Sequence, residues 1–569
     1  MKLAAAAANA IWAGSGLRAR RLYRRALERP WQTQGRLLEH YVRENRQTEY
    51  GRAHGFDDIL AVASTAHGSG NSARSLVEAF RDRVPISTYD DLQPLIERVR
   101  AGESNILTRA PVTRLVPSSG STAAAKLVPC TAAGQRELSR AVDAWIGDLF
   151  FSQPAVMNGP AYWSISPAIP ADCSGAIPVG FDSDSAYLGI VRQTLARAIV
   201  AVPDTIASVH DGDAFRYVTL LFLARARELR LISVWHPTFL TRLLDGLSQW
   251  WDRIIRDLGN GTVSPPGPID DSIRHRLQRH LGRHAGRAAE LERLSSCEPC
   301  AIWPRLATLS CWSDGPAAPY ARELHALFPR SDMQPKGLIA TEGIVTIPFG
   351  GRHPLAVSSH FFEFLESSGG ETRDASTHDT RLVHELEAGG EYAVVLTTGS
   401  GLYRYKLGDK IRVDGRVGRT ASLTFLGKDD RVSDCFGEKL SDGFVAGVID
   451  TLFARARPRF AMLAPEQTSG GIAYMLFVES DVPLDAALPA ALEGALRRNP
   501  HYAWCVDIGQ LRPARVVLVG PNADRAYVEA CVARGQRLGD VKPVSLHREG
   551  GWQSALPAPR TLDKELAAC

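Results

Sequence analysis

Ten residues set the terms for the rest of the chain: Pro117-Ser118-Ser119-Gly120-Ser121-Thr122-Ala123-Ala124-Ala125-Lys126. An apolar piece, Val112 to Val116, precedes them and reads as a strand. Small hydroxyl residues around a glycine, closed by a lysine, suit a polyphosphate. Hydroxyls and bare backbone N–H groups donate to phosphate oxygens, and the lysine adds a point charge. The stretch is not a Walker loop, which needs two glycines bracketing four residues and then Lys-Ser or Lys-Thr. A polar surface turn is the plain alternative.

A chain of 569 residues is too long for one core, so two to four domains are expected. The net charge of +4, from 66 Lys+Arg against 62 Asp+Glu, is too small to point to nucleic acid or a membrane surface. No uncharged apolar run reaches the roughly 18 residues of a membrane span. Met1-Lys2 and the alanines at 4 to 8 hint at a signal peptide, but Arg18, Arg20, Arg21, Arg24 and Arg25 follow at helical spacing. An amphipathic helix is the better reading. Nine cysteines without framework spacing suggest a reducing cytoplasm. Cys297-Glu-Pro-Cys300 lacks the second ligand pair a zinc site needs.

Along the chain, residues 8–48, 72–84, 90–101 and 131–150 read as helical, with Thr88 or Asp90 as a cap. Tyr162 to Ser166 alternates like a strand. Helices at 214–230 and 238–257 flank a short strand from Leu231 to Pro237. Residues 270–293 read as one basic helix whose arginines circle it, which favours a solvated helix over a nucleic-acid face. Leu306–Trp312 and Lys336–Phe349 read as strands, the second carrying Glu342. A glutamate in an apolar strand must meet a cation, a donor or water, since burying it unpaired costs several kcal/mol. Three strands follow, at 391–398, 402–407 and 421–427, the middle one ending in Gly408-Asp409. A carboxylate at a strand end can accept from a ribose diol; a turn aspartate is the plainer reading. Gly427 to Asp430 is a polar break suited to a domain boundary. Beyond it, helices at 441–457, 484–498 and 526–536 alternate with strands near 459–464, 471–480 and 514–520. Lys542 then lies in a Gly/Pro-bounded loop.

Ser118 to Thr122, Thr341-Glu342-Gly343 and Tyr403-Arg-Tyr-Lys-Leu-Gly-Asp409 occur in the order and spacing of the three nucleotide motifs of the Gretchen Hagen three family. The chain resembles those acyl-acid amido synthetases, which are adenylate-forming enzymes, over most of its length. Thr48 to Phe56 and Arg534 to Pro543 look like bacterial members. It departs from the plant pattern at Ala123 to Ala125 where glycine is usual, at Leu338, Ala340 and Thr341 in the second motif, and at Lys406, where plants use arginine.

The resemblance implies an α/β fold. A large adenylate-forming N-terminal domain over residues 1–427, with β-sheets flanked by helices and a β-barrel-like part, would precede a smaller, mobile α/β domain over 428–569. It implies ATP-dependent adenylation of a small carboxylic acid, then acyl transfer to an amino acid, giving an amide, AMP and pyrophosphate. A coenzyme A ligase sharing the first half-reaction is the alternative, as is a non-catalytic nucleotide- or nucleic-acid-binding protein. ATP and Mg²⁺ are the implied cofactors, with no nucleic-acid or membrane partner and a cytoplasmic setting. Ser118, Ser119, Gly120, Ser121, Thr122, Lys126, Thr341, Glu342, Tyr405, Asp409 and Lys428 would contact the nucleotide. Glu342 would bind Mg²⁺, and Lys542 would serve adenylation. Trp163, Trp235, His236 and Phe239 would help to wall the acyl pocket.

Overall fold

The computed structural model describes residues 2–65, 72–117, 126–164, 175–180, 198–294, 297–368, 371–372, 380–428, 432–433, 435, 438, 440–507, 511–534, 536 and 541–558. The chain falls into two compact units. One comprises Met1–Glu366, Asp374–Leu407 and Arg412–Phe425; the other comprises Ser367–Arg373, Gly408–Ile411 and Leu426–Cys569.

The basic N-terminal segment forms two helices, Lys2–Glu28 and Pro30–Asn45, because Pro30 lacks an N–H and fits only a first turn. The first packs into the larger unit. Its Gly16 meets Gly147 of helix Ala132–Ser152 so closely that an added Cβ would lie 2.9 Å from the Gly147 Cα. Trp12 stacks on Trp163, and Arg20 pairs with Asp148 at 2.8 Å. No described helix is long and apolar enough to cross a membrane.

Four parallel strands, Ala161–Trp163, Leu231–Ser233, Thr308–Cys311 and Asp332–Pro335, lie side by side in chain order. Parallel neighbours need crossovers. Helices Gly212–Arg225, Pro237–Asn260 and Ala318–Leu327 lie in those connections. The second ends at Gly261, whose φ of +74° a side chain rarely adopts. The expected basic helix is broken at Gly282 into Asp271–Leu281 and Ala285–Glu292. One of its arginines is not solvated: Arg287 is buried and donates to the Ala224 and Ile302 carbonyls.

In a second sheet Glu391–Thr397 runs antiparallel to Phe361–Ser368 on one side. On its other side lies Tyr405–Val417, with Thr420–Lys428 beyond. The strand expected to end near Asp409 runs instead to Val417, with Gly408 at φ +77° inside it. Residues 336–349 are not a continuous strand. Ala340 and Gly343 exchange both N–H···O bonds, at 3.1 and 3.2 Å, and Ile339 bridges Ile344. Thr341 and Glu342 are therefore the tip of a tight turn, which gives the carboxylate access to water without crossing an apolar face.

The smaller unit pairs Phe460–Thr468 with Gly471–Glu479 antiparallel, and the latter with Leu511–Leu518 parallel. The central strand serves two cores by its period of two. Tyr474, Leu476 and Val478 join a cluster with Val445, Leu492 and Tyr502. Met475 and Phe477 join another with Tyr527, Cys531 and Trp552. The whole is a mixed α/β architecture of sheets flanked by helices.

Candidate active site

The strand Val112–Pro117 pairs antiparallel with Leu127–Thr131, placing Pro117 opposite Leu127. Ser118, Ser119, Gly120, Ser121 and Thr122 themselves lie outside the described residues. Lys126, at the far edge, is half-buried with its ammonium 5.9 Å from the Tyr89 ring centre. The Tyr89 hydroxyl accepts from the Leu127 N–H at 2.8 Å. Thr131 then caps helix Ala132–Ser152, accepting from Gly134, and donates to the Gly399 carbonyl at 3.1 Å. The strand after the hydroxyl loop is thus tied to the segment leading into Tyr403.

In that segment the sequence Tyr403-Arg404-Tyr405 is buried. Tyr403 stacks on Tyr50 at 4.6 Å and donates to the Leu107 carbonyl. Arg404 grips Glu363 with two nitrogens, at 2.9 and 3.0 Å, while Arg81 donates to the same carboxylate at 2.9 Å. Burial alone would raise the Glu363 carboxyl; the two guanidiniums outweigh it and hold it below its ordinary range. These contacts hold the backbone of the third motif in place. Asp409 is buried and Lys406 half-buried in the strand that follows. Lys428 ends strand Thr420–Lys428. Glu342 is half-buried and Thr341 exposed at their turn.

The C-terminal ends of parallel strands are where open sheets bind ligands. Here those ends carry Trp163, Trp235, Trp312 and Lys336. The Lys336 ammonium lies 4.2 Å from the Trp235 ring centre and 5.7 Å from that of Trp145. Trp235 also faces Trp312 at 5.4 Å, and Trp145 meets Trp163 edge-on at 6.3 Å. Burial pushes the Cys311 thiol, beside Lys336, up to about 12, with the ammonium opposing. Of the four expected pocket residues, Trp235 sits in this group and Trp163 at its margin. His236 instead caps helix Pro237–Asn260, its Nδ1 2.7 Å from the Thr238 hydroxyl, and Phe239 packs on the parallel-sheet core. Sequence reasoning passes over Lys336 because the apolar run after it reads as a strand.

In the smaller unit Lys542 is half-buried on a loop. Its carbonyl accepts from the Tyr527 hydroxyl at 3.0 Å, and Asp442 accepts from the Ser545 and Leu546 N–H groups.

Residues 19–333 match the family model described as the GH3 family N-terminal domain, and residues 353–428 match the GH3 family central domain. The chain belongs to the GH3 family. It is 26% identical over 423 residues to indole-3-acetic acid-amido synthetase GH3.2 of Arabidopsis thaliana, covering 70% of this chain and 74% of that one. It is 24% identical over 560 residues to the probable indole-3-acetic acid-amido synthetase GH3.1 of Oryza sativa subsp. japonica, covering 91% and 88%. Its fold matches that of AtGH3.15 acyl acid amido synthetase in complex with 2,4-DB, with a TM-score of 0.78 at 17% identity over 94% of this chain and 95% of that one. With GH3 membership comes the class expected from the sequence: an ATP-dependent ligase that forms amides through an acyl-adenylate.

Proposed function

We propose that this GH3 protein activates a flat or hydrophobic carboxylic acid with ATP and joins it to the amine of an amino acid. A carboxylate oxygen attacks the α-phosphate of ATP, giving an acyl-adenylate and pyrophosphate; the amine then displaces AMP. Both steps move negative charge, so placed cations and donors matter more than an acid–base pair. The observation that carries the reading is the joining of the hydroxyl loop's downstream strand, through Thr131 and Gly399, to the segment leading into Tyr403. The strand after the first motif and the approach to the third belong to one framework.

In this reading Ser118 to Thr122, with Lys126 assisting, hold the β- and γ-phosphates. Thr341, Tyr405 and Lys428 line the nucleotide site, and Asp409 accepts from the ribose hydroxyls. Lys542 offsets charge on the acyl-phosphate oxygens during adenylation, carried by a C-terminal domain, 428–569, that pivots near Lys428–Asp430. Mg²⁺ is commonly held by one or two carboxylates together with substrate phosphates. Glu342, on a turn tip with access to water, fits that pattern, although the described residues contain no group of three metal-ligating side chains. Bound there, the ion would neutralise phosphate charge. Trp235 supplies an aromatic wall for the acid, with Lys336 against its face. We also place the chain among bacterial members, on the stretches 48–56 and 534–543, and in the cytoplasm, on its odd cysteine count.

The test is product analysis with a panel of aromatic and aliphatic acids, each offered amino acids or coenzyme A. Acid-dependent pyrophosphate release with an amide product is expected. A thioester product, or no release with any acid, contradicts the reading.

A further inference from the structure

Two glycines, Gly343 in the second motif and Gly399 four residues before the third, are closed against one buried pair. A Cβ on Gly343, the neighbour of Glu342, would lie 2.9 Å from His360 Nε2. A Cβ on Gly399 would lie 2.4 Å from Glu137 Oε1. Glu137 and His360 are 2% and 3% exposed, and their Oε2 and Nδ1 are 3.1 Å apart. The hydrogen bonds fix the imidazole's tautomer. Its Nε2 accepts the Ile344 N–H at 3.1 Å, so the proton sits on Nδ1 and is donated to Glu137. Both Glu137 oxygens also accept from the Gly399 N–H, each at 3.1 Å. The Tyr41 phenol lies alongside, kept neutral because burial and then the Glu137 charge push its pKa well up, and it donates to the Ser359 carbonyl at 3.0 Å.

We propose that Glu137 and His360 are positioning residues that set the Glu342 turn against helix Ala132–Ser152 and the Gly399 segment. The chain of contacts is continuous: Gly399 N–H to Glu137, Glu137 to His360, His360 to the Ile344 N–H that follows the turn. Through it the second motif takes its height from the helix that follows the first motif and from the backbone that leads into the third. Neither residue touches substrate. The proposal rests on the reading of Glu342 as a phosphate- or metal-side carboxylate. A neighbouring core hydrogen bond with no such task would stabilise the fold and leave nucleotide affinity alone.

The experiment measures MgATP affinity by calorimetry, KM for MgATP in acid-dependent pyrophosphate release, and transfer from a supplied acyl-adenylate. His360→Ala is expected to weaken MgATP affinity and raise its KM together by about tenfold, the scale of a lost buried hydrogen bond. KM for the acid and the transfer half-reaction should stay within about twofold. Gly343→Ala strikes the same contact from the turn's side and should give the same split. In His360→Ala/Gly343→Ala the added methyl fills space the ring has left, so the double variant should be no worse than His360→Ala alone. His360→Gln, which keeps one donor and one acceptor, should recover part of the affinity. A folded His360→Ala with wild-type MgATP affinity overturns the proposal, as does additivity in the double variant. If His360→Ala does not fold, unchanged MgATP affinity in Gly343→Ala overturns it. Wild-type protein that releases no pyrophosphate with any acid overturns the adenylation reading itself, and this proposal with it.

Discussion

The turn that carries Glu342 and the loop that carries Lys542 are held in contrasting ways. Around Glu342 the anchors come from sequence-distant parts of the larger unit: an imidazole from position 360, a carboxylate from 137 and a backbone amide from 399. Around Lys542 the backbone is anchored from within the smaller unit. Tyr527 takes the Lys542 carbonyl, and Asp442 takes the amides of Ser545 and Leu546 just beyond it. Tyr527 is itself stacked on Trp552 at 5.1 Å. The first arrangement suits a group needed in one fixed place. The second suits a group that its own unit can carry as a rigid attachment.

The largest expected effect falls on the fixed side. Glu342→Ala should abolish acid-dependent pyrophosphate release in folded protein; near-wild-type turnover would remove the carboxylate from the phosphate chemistry. Lys542→Ala should slow that release by about 10²-fold or more, the usual scale for one placed electrostatic group. The same variant should transfer a supplied acyl-adenylate at close to the wild-type rate. Equal slowing of both half-reactions would break the comparison, since the lysine would then serve throughout.

The framework beneath the fixed side should show in stability. Glu363→Gln leaves Arg404 and Arg81 without their buried counter-charge and should cost about 3–5 kcal/mol in chemical denaturation. The sign with pH follows from the lowered Glu363 pKa. Its contribution is complete above the unfolded carboxylate range and is lost as pH falls through the lower folded value. Acidification should therefore destabilise the wild type more steeply than the variant; parallel pH profiles would contradict this. The smallest effect belongs to the carried side. Tyr527→Phe removes one hydrogen bond, worth about 1 kcal/mol, and should slow adenylation only a few-fold. A loss as large as that of Lys542→Ala would mean the loop depends on this one anchor.

Local pattern made much of the fold legible. Helix periodicity marks 131–150 and 238–257, which form Ala132–Ser152 and Pro237–Asn260, and the alternation of strands and helices marks the smaller unit, because these elements bury one face or alternate two. Turns inside apolar runs were harder to see. Leu338 to Phe349 has strand composition, yet the mutual bonds of Ala340 and Gly343 fold it at Thr341-Glu342. Gly408 reads as a strand terminator, yet its positive φ is accommodated within a strand that continues to Val417. His236 caps a helix, a role that no local pattern marks. Glu137 and His360 are separated by 223 positions, so no local spacing joins them. Only the two neighbouring glycines left a trace, and a glycine alone does not say what it makes room for.

The route through an acyl-adenylate is tested most directly by following an oxygen atom. The acid is labelled with ¹⁸O in its carboxylate and converted to the amide with ATP and an amino acid. Attack on the α-phosphate leaves one carboxylate oxygen on that phosphorus when the amine departs with the acyl group. The AMP released should therefore carry one ¹⁸O per amide formed, and the pyrophosphate should carry none. Label in inorganic phosphate or pyrophosphate, with unlabelled AMP, would contradict adenylation and point to activation at another phosphorus.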